Sequence, residues 1–163
     1  MTEDHDAKLA ARVEHLSERQ EVVDVVTRLF LATDARDWTG VEACFEDEVL
    51  FDMSSMGAGP AARVPARSIV EGWEAGLRSI REVHHQTGNH LVRIDVNRAT
   101  AFCYGVAFHH LPNRSGRNTR IFVGSYDFEL QKREGEWRIA AFRFRLKFRD
   151  GDLDLESSAE STR

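Results

Sequence analysis

Cysteine is almost absent: Cys44 and Cys103 are the only two in 163 residues, and they lie far apart. That excludes a disulfide-stapled small scaffold and leaves two free thiols as the expectation, as in a reducing compartment. Proline is equally scarce, with three residues, which excludes a proline-rich linker or a collagen-like chain. Long apolar runs are missing as well. The longest stretch free of Asp, Glu, Lys and Arg is 99–113, and it contains His109 and His110, so it is too short and too polar to span a bilayer. The opening MTEDHDAKLAARVEHLSERQ has no apolar segment of the signal-peptide kind. No long basic run occurs in a chain of net charge −5, so neither nucleic acid nor a membrane is expected as a partner. What remains is ordinary globular composition, 42% hydrophobic and 30% charged. A single domain in the cytoplasm is the expectation.

The pattern along the chain changes once. Residues 1–13 read as a polar, frayed extension, and 150–163 as an acidic disordered tail. Between them, 14–149 carries all the periodicity. Ser17 and Gln20 form a capping-box pattern, followed by Val22, Val23, Val26, Leu29 and Phe30 on one helical face. Further helices are expected at about 37–46 and 67–81, the latter with Ile69, Val70, Trp73, Leu77 and Ile80 inward. A short strand fits 49–53, and the small-residue run MSSMGAGPAARVP reads as a loop able to move over a pocket. From His84 the period becomes two, giving strands at 84–96, 99–111, 119–132 and 136–148. Helices first and a meander afterwards define an α+β fold.

Alternation assigns the faces. Phe122, Tyr126, Phe128 and Leu130 share one parity, as do Phe142, Phe144, Leu146 and Phe148. Both aromatic faces coincide if paired residue numbers sum to about 270, which implies a three-residue turn around Gly135 and puts Asp127 opposite Arg143. In 99–111 one parity is Ala99, Ala101, Cys103, Gly105, Ala107 and His109. Such a row of small side chains leaves empty volume above the sheet, with His109 at its end. Asp34 is the other anomaly. It continues the stripe of Val23, Val26 and Phe30 at the end of the first helix, where burial and the macrodipole both disfavour a carboxylate. A histidine nearby would compensate, giving a paired acid and base.

The runs LATDARDWTGVEACFEDEVLFD, HHQTGNHLVRIDVNRATAF and EGEWRIAAFRF, in this order and spacing, resemble the SnoaL-like proteins of the nuclear transport factor 2-like superfamily. Scytalone dehydratase and lindane dehydrochlorinase are relatives in that superfamily. The resemblance implies a cone-shaped α+β barrel, in which a strongly curved mixed or antiparallel sheet and three N-terminal helices enclose an apolar pocket. It also implies catalytic roles for Asp34 and His85, with Asn89 four residues on at the same parity, and a second pocket histidine at His109. The dehydratase's tyrosines are replaced by Thr33 and Met53, and the dehydrochlorinase's arginine by Phe142.

The function expected on these grounds is a cofactor-free acid/base lyase or isomerase, dehydratase-like, acting on a small cyclic, aromatic or polyketide-like molecule. His85 would be the base and Asp34 its orienting partner, while His109 and Tyr126 would donate to the developing oxyanion. Phe51, Trp73, Phe122, Phe128, Phe142 and Phe144 would line the substrate site. Three alternatives stand beside it. They are a non-catalytic binder of small hydrophobic ligands, a structural partner like the β subunit of ring-hydroxylating dioxygenases, and an iron site of Asp34, His85 and His109. No metal is expected on the leading reading. A homo-oligomer, dimer or trimer, is what the resemblance implies.

Overall fold

A computed structural model describes residues 2–160. The elements are α1 (Thr2–Ala35), α2 (Trp38–Ala43), β1 (Phe45–Asp52), β2 (Ala62–Pro65), α3 (Ala66–Leu77), β3 (Glu82–Asp95), β4 (Arg98–His110), β5 (Thr119–Arg133), β6 (Glu136–Gly151) and α4 (Leu155–Glu160). The α+β class is as expected. The strands form one six-stranded sheet in the order β2-β1-β6-β5-β4-β3, antiparallel except for the parallel pair β1–β6. It is an open sheet rather than a closed barrel, and the third helix follows two strands instead of preceding the sheet.

The core lies on one face. Val22, Val25, Val26, Leu29 and Phe30 of α1 join Ala99, Ala101 and Cys103 of β4, Tyr126, Phe128 and Leu130 of β5, and Ile139, Phe142 and Phe144 of β6 in one buried cluster. The small-residue parity of β4 is therefore the inner one, as alternation predicts.

Four local expectations need correction. No helix starts at Ser17. Residues 2–16 contain neither Gly nor Pro and are rich in strong helix formers, and a Lys8–Asp4 ion pair at 2.7 Å supports the exposed first turns. The run after β1 is not a free loop. A 3-10 turn at Ser54–Met56 leads into β2, and Ser55 Oγ donates to the Phe144 carbonyl at 2.7 Å and accepts from Leu146 N–H at 3.0 Å. The β5–β6 turn is two residues, Glu134 and Gly135, both with positive φ (53° and 86°), as a tight hairpin requires. The even pairing sum arises later, at a bulge between Glu129 and Leu130. A second shift between Val123 and Gly124 turns Phe148 outward, leaving it 57% exposed.

The fourth correction concerns the tail. β6 runs on to Gly151, and α4 follows. Leu155 is fully buried against Leu77, Ile80 and Val83, so the acidic stretch is anchored by one apolar side chain.

Candidate active site

The end of α1 sets the first catalytic candidate. Arg36 adopts φ 56°, its N–H bonds to Thr33 O at 3.1 Å, and Asp37 N–H reaches Ala32 O at 2.9 Å. This pair of bonds is a Schellman stop, and it leaves Asp34 as the last-turn side chain facing β3. There Asp34 Oδ2 accepts the His85 backbone N–H at 2.8 Å, and Oδ1 accepts His85 Nδ1–H at 2.6 Å. The carboxylate disfavoured by the helix dipole is thus satisfied twice by one residue. The His85 ring stacks on Phe30 at 5.0 Å and 28°. His84, of opposite parity, points outward with 68% of its side chain exposed.

His109 is held quite differently. It pairs across the strands with Arg120, whose Nη2 donates to His109 Nδ1 at 3.1 Å. Arg120 is itself gripped by Glu156 of α4 through bonds of 2.8 and 2.9 Å. Burial first, and then the Arg120 charge, lower the His109 pKa to about 4. For Glu156 burial opposes ionisation, but the Arg120 hydrogen bonds and charge outweigh it and keep the carboxyl below its ordinary range.

Both histidines line one cavity of about 220 Å³, walled by Phe30, Met53, Trp73, Phe122, Tyr126 and Phe144, with Thr33, Ala107 and Phe142 among its other lining residues. Its lining contains no Asp, Glu, Lys or Arg. Tyr126 is buried, which drives its pKa up and keeps its hydroxyl protonated. A groove of about 630 Å³ beside α1 and α2 is larger, but it is lined by Glu21, Arg28, Asp37 and Glu136 and has no histidine.

Most of the residues expected at a site are brought together here. Phe51 and Phe128 sit one layer back. Phe51 stacks on Phe142 at 5.4 Å, and Phe128 packs against Tyr126 at 5.9 Å. Asn89 is not in the pocket. A bulge between Gly88 and Leu91 breaks the alternation, and Asn89 lies at its centre, exposed and with φ 58°. Among the described residues no group of three or more His, Cys, Asp or Glu side chains is placed to hold a metal. The iron triad considered from the sequence is therefore not formed. Both Nδ1 atoms are already engaged, one of them by a cation.

Arg120 and Glu156 are the members that sequence reasoning missed. Arg120 shares the inner parity of Phe122 and Tyr126, so a charge on an apolar face was the available signal. Glu156 had none, lying in an acidic run with no periodicity.

An open α+β sheet carrying helices on one face and a histidine-bearing apolar pocket defines the class. The chain belongs to the SnoaL-like domain family, which matches residues 14–143. No curated protein matches it. Among solved structures, the Kfla4162 protein from Kribbella flavida is similar at TM-score 0.81 and 23% identity, over 88% of this chain and 99% of that one. A scytalone dehydratase-like protein from Novosphingobium aromaticivorans is similar at TM-score 0.73 and 15% identity, over 85% and 89% of the two chains. The hexachlorocyclohexane dehydrochlorinase LinA-type3 from Novosphingobium barchaimii is similar at TM-score 0.71 and 12% identity, over 88% and 95%. At these identities the likeness is one of fold. No helix is long and apolar enough to cross a membrane among the described residues.

Proposed function

We propose that the protein is an acid–base lyase or isomerase acting on a small, uncharged ring compound bearing a carbonyl. The observation that carries this reading is the 2.6 Å bond from His85 Nδ1–H to Asp34 in the wall of an apolar cavity. With its proton on Nδ1, the neutral ring keeps a lone pair on Nε2, and the carboxylate stabilises the imidazolium that forms when Nε2 takes a proton. An uncharged substrate fits a lining without charged side chains, and a single or small fused ring suits the volume.

In the reaction, His85 Nε2 removes a proton from the carbon next to the carbonyl. The electron pair moves onto the carbonyl oxygen, where His109 and Tyr126 donate hydrogen bonds. In an elimination the pair then returns from the oxygen, a C=C bond forms to the next carbon, and the group on that carbon leaves, a hydroxyl departing as water with the proton held on His85 Nε2. Return of the proton to a different carbon completes an isomerisation.

Hydrogen exchange tests the first step. Cyclic ketones and β-hydroxy ketones incubated with the protein in heavy water should take up deuterium at the carbon next to the carbonyl. His85→Ala and Asp34→Asn should each slow this by about 10²–10⁴-fold. The double variant should lose little more, because the pair acts as one unit. Saturable binding of such ketones without exchange would overturn this reading in favour of a carrier or sensor.

A further inference from the structure

His85 and His109 face one cavity, yet their Nδ1 atoms meet groups of opposite chemistry. Arginine has only donors and does not give up its charge. The His109 nitrogen 3.1 Å from Arg120 Nη2 must therefore be the acceptor, without a proton. We propose that Arg120, clamped by Glu156, is a positioning residue that fixes His109 with its proton on Nε2 and so presents a hydrogen-bond donor to the pocket.

The clamp is built for orientation. Glu156 takes both terminal nitrogens of Arg120 at 2.9 and 2.8 Å, and the Leu153 carbonyl lies 3.4 Å from Nη1. The guanidinium stands 5.5 Å from the centre of the Phe122 ring. Its Nε is buried and without a partner among the described residues. Holding a cation there has a cost that a merely structural side chain would not need to bear.

Four charged or titratable groups act on His109: Arg120 and His85 oppose its protonation, while Glu156 and Asp34 favour it. Burial and Arg120 prevail, so the ring stays neutral well below neutral pH. The pocket then holds a complementary pair. One histidine presents a lone pair and the other an N–H, which is what removing a proton while an oxygen gains charge requires. This deepens the acid–base reading and rests on it only for its use, because the tautomer is measurable without substrate.

The experiment is a histidine ¹⁵N and ¹H NMR titration of the full chain. In the wild type, His109 should show a protonated Nε2 and a bare Nδ1 at neutral pH, with a titration midpoint near about 4 rather than the ordinary 6.5. Arg120→Met should move that midpoint upward and populate the Nδ1–H form. Arg120→Lys, which restores a cationic donor, should recover much of the wild-type behaviour. A wild-type Nδ1–H tautomer would overturn the proposal whether or not any variant folds. So would a folded Arg120→Met with an unchanged spectrum. Absence of deuterium uptake together with the Nε2–H tautomer would sink the lyase reading and leave this assignment standing.

Discussion

Phe144 and Arg145 are chain neighbours on one strand and belong to different worlds. Phe144 is 4% exposed, packed beside Tyr126 at 4.8 Å and part of the cavity wall. Arg145 projects from the other face and pairs with Asp127 at 2.7 Å with 60% of its side chain in solvent. The same division runs along the sheet. Inside are aromatic rings and small residues. Outside are Asp52–Arg143, Asp127–Arg145 and the exposed rings of Tyr104 and Phe148. On the inner face the core and the cavity wall share the same side chains, whereas the outer face carries paired charges in contact with solvent.

The largest effect should come from testing that division directly. Phe144→Ala removes a buried ring and leaves a void, so it should cost about 3–5 kcal/mol in urea unfolding, while Arg145→Ala, at a solvent-exposed ion pair, should cost far less. A reversed order would invert the faces. A smaller loss, about 1–3 kcal/mol, is expected for Gly105→Ala. Gly105 lies opposite Gly124, and an added Cβ would overlap the Tyr126 ring. Gly124 is just as tight, because a Cβ there would overlap the Phe144 ring and the Arg145 carbonyl. Thermal unfolding should register Gly105→Ala, along with a displaced Tyr126 signal.

The smallest effect belongs to the outer face. Hydrogen bonds from Ser54, then from Arg143, lower the Asp52 pKa to about 2 from 3.8. A depressed carboxylate contributes stability that is complete above pH 3.8 and is lost as pH falls through about 2. Asp52→Asn should therefore flatten the acid limb of the stability curve between these values, by about 1 kcal/mol or less. A larger change would mean that this pair is more than a surface contact.

Parity made much of the inner face legible, because a side chain in a strand has only two directions to take. Asp34 stood out for the same reason, as a carboxylate continuing an apolar stripe. Alternation fails where the ladder slips. Asn89, Phe148 and the β5–β6 turn were misplaced by bulges that leave no periodic trace in the residues themselves. Glu156 was invisible for another reason. Its position depends on Leu155 entering a hole between Leu77, Ile80 and Val83, three residues that come together only in the folded chain. A polar tail with a single apolar anchor looks like disorder until the hole exists.

The parallel pairing of β1 with β6 has a consequence for how the molecule comes into being. Strands β3 to β6 join by short connections and can pair as they emerge. β1 has no partner but β2 until β6 is complete: the Asp52–Arg143 contact spans 91 residues of chain. Closing so long a loop is slow relative to hairpin formation. During synthesis the apolar stripe of α1, from Val22 to Phe30, therefore waits for the β4, β5 and β6 side chains that complete its cover. The carboxylate at its end is only 51 residues from His85, so the Asp34–His85 contact can form once β3 is made, ahead of the strands that complete the cover of the chain's most sticky surface.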